Sequence, residues 1–277
     1  MTGNVSFALL LALLAGLSTG IGSVIAYFIR KPKDWQLSLI LGFSAGVMVY
    51  ISFAELLHAA IDNVGFVTAN LGFFVGIAFI AIVDILVPHE YKHEHVGNSR
   101  SSSGGRNKTG QGSDVQPTAS LTVEQRSNLR RAGMLIALGI AIHNFPEGLA
   151  VFSSAVTGDR TFGLLVAIAI ALHNIPEGIS VSVPISEATG NRRRAFVYSF
   201  LSGLTEPVGA IIGYGILFAF LTPTLVYSLL AFSAGIMVYI SLDEILPTAQ
   251  LYGKQHFVIL GVLGGMLIMA ISIFLLR

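Results

Sequence analysis

Residues 41–57 read LGFSAGVMVYISFAELL, and residues 230–246 read LAFSAGIMVYISLDEIL. The two stretches align without a gap, and twelve of their seventeen positions are identical. Each copy sits in an apolar run of roughly 20 residues, the length a helix needs to cross a bilayer. Such runs fall near 6–29, 36–59, 67–88, 130–157, 161–184, 195–220, 223–247 and 254–276. The copies therefore lie in the second and seventh of eight spans and cross the membrane in opposite directions. This pattern predicts an all-α membrane protein of eight transmembrane helices, built as an inverted repeat about a pseudo-two-fold axis in the membrane plane. Chance similarity between apolar segments is a poor account, because the shared Ser, Tyr, Ser and Glu are not generic membrane residues.

Composition agrees. Of 277 residues, 53% are hydrophobic and 11% charged, against about 25% charged in soluble domains. A net charge of +1 implies no nucleic-acid partner. The absence of cysteine excludes disulfides, thiolate metal sites and thiol catalysis. No basic region precedes the first apolar run, which argues for a retained first helix over a cleaved signal. Five Gly-xxx-Gly pairs are expected to bring helix backbones close: Gly16/Gly20, Gly42/Gly46, Gly72/Gly76, Gly209/Gly213 and Gly261/Gly265.

With the N-terminus outside, the odd-numbered loops hold fourteen of the sixteen Lys and Arg residues, leaving Arg160 and Arg277 outside. That positive-inside bias predicts both termini outside. Residues 89–128 read as a flexible cytoplasmic loop rich in Ser, Gly and Gln. His89, Glu90, His93, Glu94 and His95 open it. They read as a solvated polar flank in preference to a tract that gathers or senses metal in the cytoplasm. The sequon Asn107-Lys108-Thr109 lies on the inner side and is discounted.

The chemistry is concentrated in spans four and five. His143-Asn144-Phe145-Pro146-Glu147-Gly148 returns as His173-Asn174-Ile175-Pro176-Glu177-Gly178. An ionisable residue at the centre of a membrane helix costs roughly 2.5–3.5 kcal/mol on insertion scales, so it needs partners and marks a functional site by default. His143 and Glu147 are i and i+4, on one helix face, with Asn144 beside them. Pro146 and Pro176 are expected to break the helices and free the carbonyls of Ile142 and Leu172. Two such helices side by side offer nitrogen and oxygen donors suited to a divalent cation. The bland alternative is a set of interhelical hydrogen bonds that only holds the bundle together; two copies, each with a proline, disfavour it. Glu206-Pro207 in span six repeats the device, and Glu206 is read as a third carboxylate for the same site. Glu55 and Glu244 are the paired acids of the repeat, with His58 one turn after Glu55; they read equally well as a way station and as residues meeting headgroup water. Asp84, Asp243 and His256 read as interfacial.

These residues resemble the ZIP (Zrt/Irt-like) family of divalent-metal transporters, and its bacterial branch most of all. The likeness rests on HNFPEG at 143–148, HNIPEG at 173–178, SGLTEP at 202–207 and the AGxMVYIS runs at 45–52 and 234–241, and it covers essentially the whole chain, 1–277, as one transmembrane domain. The resemblance implies a binuclear metal centre. One cation would be held by Glu147, His173 and Glu177 with His143 near, and a second by Asn144, Glu147, Asn174, Glu177 and Glu206. Eukaryotic members carry Ser and Val where this chain has Asn144 and Pro146, so their metal preferences do not transfer.

The expected function is uptake of Zn²⁺, and also Fe²⁺, Mn²⁺, Co²⁺ and Cd²⁺, into the cytoplasm. The expected partners are those ions and the lipid bilayer, with no cofactor, no enzymatic activity and a homodimer left open. Two rivals are an intramembrane metallo-hydrolase, for which H-E-x-x-H is absent, and a passive metal channel.

Overall fold

The computed structural model of the chain describes residues 2–29, 33–86, 123–157, 160–217 and 222–276. Among these, eight long helices follow in order: α1 Thr2–Phe28, α2 Asp34–Val64, α3 Phe66–Leu86, α4 Val123–Thr157, α5 Arg160–Thr189, α6 Arg192–Gly215, α7 Pro223–Gln250 and α8 Gln255–Leu276. Seven of them are long and apolar enough to cross a membrane. The eighth, α4, is 35 residues long and opens on the polar stretch Glu124-Gln125-Arg126. That polar turn lies inside the segment expected to be loop, and good helix formers explain why the helix starts early. The remainder of the expected loop, with His89, Glu90, His93, Glu94 and His95, lies outside the described residues.

Local signals set the ends. The Asn191 side chain accepts from the Arg194 amide at 3.0 Å to open α6. Thr222 caps α7 through the Leu225 amide, with Pro223 in the first turn, where its missing N–H costs nothing. Gly65 (φ 80°) and Gly253 (φ 70°) make the tight turns after α2 and α7, a backbone region that residues with a side chain rarely adopt.

The packing separates into two groups. Helices α1, α4, α5 and α6 pack on one another, while α2 runs along α8 and α3 along α7. The groups meet mainly where α2 touches α5 and where α4 touches α7. Glycine decides the close approaches. A methyl group at Gly42 or Gly46 would strike the carbonyls of Val258 or Val262, and one at Gly261 or Gly265 those of Leu39 or Phe43. Gly76 and Gly235 seat α3 on α7 against the carbonyls of Phe232 and Phe73 in the same reciprocal way. In the other group, Gly22 and Gly178 face the carbonyls of Ile175 and Thr19, and Gly148 and Gly209 those of Glu206 and Phe145. Without a hydrophobic force between helices in lipid, this contact is what holds them.

The molecule is apolar outside and polar within. Large side chains such as Leu71, Phe74 and Ile82 of α3, and Ile259, Leu263 and Phe274 of α8, are exposed, whereas His143, Asn144, Glu147, His173, Asn174, Glu177 and Glu206 are fully buried.

The prolines do not break their helices. α4 runs through Pro146 and α5 through Pro176 and Pro184. Hydroxyls from neighbouring helices bond the backbone beside each proline: Ser44 Oγ donates to the Pro176 carbonyl at 2.9 Å and Ser233 Oγ to the His143 carbonyl at 3.3 Å. Irregularity falls elsewhere. α6 is interrupted at Leu204, one turn before Pro207. Both copies of the 41–57 repeat end in a π-helical turn, Ser52–Leu57 in α2 and Ser241–Ile245 in α7, carrying Glu55 and Glu244.

Candidate metal centre

α4 and α5 bring the two motifs face to face. The i, i+4 spacing suggests that each histidine meets the glutamate of its own helix, but the shorter contacts cross between helices. His143 Nε2 donates to Glu177 Oε1 at 2.9 Å, and His173 Nε2 to Glu147 Oε2 at 3.3 Å. His173 Nε2 also lies 3.8 Å from Glu177 Oε1. Four side chains thus form one cluster around two carboxylates.

The asparagines, one residue on, turn toward α1 and α6. Asn144 Nδ2 donates to the Ser202 carbonyl at 3.3 Å. Asn174 Nδ2 donates to the Ala15 carbonyl at 3.0 Å and to Glu206 Oε2 at 2.7 Å. The centre is therefore layered, with serines from α2 and α7 on the histidine-bearing segments and α1 and α6 against the asparagines. All seven side chains singled out as ligands are brought together here.

Their unused atoms decide what the cluster can do. His143 Nδ1, Asn144 Oδ1, Glu147 Oε1, Asn174 Oδ1, Glu177 Oε2 and Glu206 Oε1 are buried with no hydrogen-bond partner. Each such atom costs about 1–3 kcal/mol when left unsatisfied. A cluster serving only as interhelical glue would pair them. Five oxygens and one imidazole nitrogen, three of the oxygens from carboxylates, are instead a donor set for a borderline divalent cation such as zinc.

Among the described residues, two of the cavities carry acids of the repeat. One, of about 280 Å³, is lined by Ile51, Glu55, Leu165, Ala169, Tyr227 and others, and Ala169 is the residue whose carbonyl meets His173 Nδ1 at 3.2 Å. The other, of about 20 Å³, is lined by Asp84, Leu138, Gly139, Tyr239, Ile240 and Glu244. Glu244 is seventeen residues along α7 from Tyr227, roughly 25 Å at 1.5 Å per residue. The two cavities thus open at opposite ends of the molecule, and Glu55 and Glu244 do not meet. His58 is exposed and pairs with Asp62 at 3.5 Å, on the surface. His256 is exposed at the start of α8. Asp84 and Asp243, near the ends of α3 and α7, form with Glu244 a group whose carboxylate oxygens lie within 4.8 Å of one another, and Tyr239 donates to Asp84 at 3.0 Å. Spacing along the chain could not reveal this, because Asp84 arrives from α3.

Reading the sequence missed the part played by α1. Its signal is faint: GLSTGIG at 16–22 echoes GLTEPVG at 203–209. Ser44 and Ser233 lay within the repeat that was read, but only packing identifies what they bond.

A family model described as ZIP Zinc transporter matches residues 86–273. Among curated relatives, the zinc transporter ZupT of Clostridium perfringens is 49% identical, covering 98% of this chain and 96% of that protein. ZupT of Nitratidesulfovibrio vulgaris is also 49% identical, over 99% and 98%, and that of Lysinibacillus sphaericus 47%, over the full length of both.

Proposed function

The chain belongs to the ZIP family of zinc transporters, and from that premise we propose that it is a multi-pass plasma-membrane transporter that takes Zn²⁺ into the cytoplasm through the α4–α5 centre. It is a transporter and not an enzyme. The observation that carries the reading is the concentration of unpartnered ligand atoms among the fully buried His, Asn and Glu side chains of the two motifs.

We assign Glu147 and Glu177 as bridging carboxylates. One ion sits among them and His173, with His143 near; a second sits among them and Asn144, Asn174 and Glu206. Oxygen and nitrogen donors without thiolate extend the range to Fe²⁺, Mn²⁺, Co²⁺ and Cd²⁺.

Both termini are placed outside on the distribution of Lys and Arg. The inverted repeat is supported by the reciprocal glycine seats, in which α2 on α8 is matched by α7 on α3, and α1 on α5 by α6 on α4. In this orientation the larger cavity, with Glu55, faces outside, and the smaller one, with Asp84, Asp243 and Glu244, faces the cytoplasm. An ion enters past Glu55, sheds water onto the central carboxylates, and leaves past Glu244 as one helix group rocks against the other. His58, exposed on the entry side, adds at most to local ion concentration.

The test is uptake of radioactive zinc by cells expressing Glu177→Ala. Surface expression persists and uptake is lost. Native uptake by a correctly inserted Glu177→Ala protein rejects the assignment.

A further inference from the structure

Helices α1 and α6 cross where Gly16 and Gly203 meet, each with its would-be methyl group 2.6 Å from the other's carbonyl oxygen. Around this crossing the contacts come in matched pairs at a constant offset of 187 residues. Ser18 Oγ donates to Ala15 at 2.5 Å, and Thr205 Oγ1 to Ser202 at 2.6 Å. Asn174 Nδ2 donates to the same Ala15 carbonyl, and Asn144 Nδ2 to the same Ser202 carbonyl. Gly22 and Gly209 seat the two helices on equivalent carbonyls of α5 and α4, those of Ile175 and Phe145.

One pair differs in chemistry. Glu206, which bonds Asn174, has Thr19 as its counterpart. Thr19 is fully buried, with its Cβ and Oγ1 packed against Gly203 as Glu206 Cβ packs against Gly16. A threonine in a helix ordinarily donates to the carbonyl three or four residues back. The carbonyl four back, Ala15, is already taken by Ser18 and Asn174, and the one three back, Gly16, is pressed against Gly203 at the helix crossing. Thr19 Oγ1 is consequently buried without a partner, beside a cluster whose Asn144 Oδ1 and Asn174 Oδ1 are equally unpartnered.

We propose that Thr19 is a further cation-binding residue, its hydroxyl oxygen facing the ion held by Asn144, Asn174 and Glu206 from the opposite side to Glu206. The proposal rests on the assignment of the α4–α5 centre as the transport site. It gives the asymmetry a function. A carboxylate on one side and a neutral hydroxyl on the other hold the ion without adding a fourth negative charge, so the ion can leave. A hydroxyl oxygen is a hard ligand that needs no deprotonation, and a methyl group in its place offers the ion nothing.

The experiment is zinc transport by full-length protein in proteoliposomes, reading KM and maximal rate for the native chain, Thr19→Val, Thr19→Ser and, as a control on the site itself, Glu206→Gln. Thr19→Val keeps the shape and loses the oxygen. It is expected to raise KM about five- to tenfold, the scale of one lost polar contact. Thr19→Ser restores the oxygen and is expected to restore native KM. A Thr19→Val protein with native KM overturns the proposal, and if Glu206→Gln is still impaired the site assignment stands. Equal rises in KM for Thr19→Val and Thr19→Ser also overturn it, because packing and not the hydroxyl is then responsible. Native kinetics in all three variants reject the site together with the proposal.

Discussion

Helices α1, α4, α5 and α6 meet one another backbone to backbone, whereas they meet α2, α3, α7 and α8 through side chains. Within the first group, Gly22, Gly148, Gly178, Gly203 and Gly209 each press on a neighbouring carbonyl. The second group uses the same device within the pairs α2–α8 and α3–α7. At the boundary, Gly139 is the described glycine that looks across, and it meets only the end of the Ile240 side chain. Polar ties there include the Ser44 and Ser233 hydroxyls on backbone carbonyls. Backbone seats are fixed to a fraction of an ångström, since a carbonyl cannot move aside without its helix. Side chains can change rotamer. The boundary is therefore where the proposed rocking motion is expected.

The largest effect sets the chemistry of the first group against that of the second. Glu147→Ala and Glu177→Ala are expected to lower zinc uptake more than a hundredfold, since each removes a carboxylate that leaves its histidine partner unpaired. Glu55→Gln and Glu244→Gln, in the two cavities, are expected to slow transport several-fold only. Initial uptake rates corrected for surface protein measure both, and equal losses would erase the distinction between centre and pathway.

Next in size are the seats. Gly178→Ala in the first group and Gly46→Ala in the second each drive a methyl group into a carbonyl, at a cost of about 1–3 kcal/mol. Thermal unfolding in detergent should show both destabilised, and Gly139→Ala, against the end of the buried Ile240 side chain and no carbonyl, destabilised less. A Gly139→Ala protein as unstable as Gly178→Ala would deny that the boundary is softer than the interiors.

The smallest effect tests the ties across it. Hydrogen bonds between membrane helices average about 0.6 kcal/mol, so Ser44→Ala with Ser233→Ala should change maximal uptake rate by a few-fold and leave KM unchanged. A raised KM would mean that these serines reach the ion.

Much of this contrast was legible in the sequence. The 41–57 and 230–246 copies located α2 and α7, because twelve identities survive where packing demands them. The HN-x-PEG pairs located the centre, because buried charge stands out in apolar sequence. Three features were not legible. The breaks expected at Pro146 and Pro176 do not occur, α4 and α5 running through both, and the serines that bond the backbone beside them come from distant helices. The exchange of partners between His143 and His173 depends on how close α4 and α5 approach, which spacing within one helix cannot report. The Asp84, Asp243 and Glu244 group needs α3 laid on α7.

The central claim is that α4 and α5 pool their donors around a divalent cation. Anomalous diffraction from zinc-soaked crystals tests it most directly. The account predicts zinc density between the two helices, about 2.0–2.2 Å from oxygens of both Glu147 and Glu177. Zinc density confined to other parts of the molecule, with Glu147 and Glu177 still paired only to histidine, contradicts it.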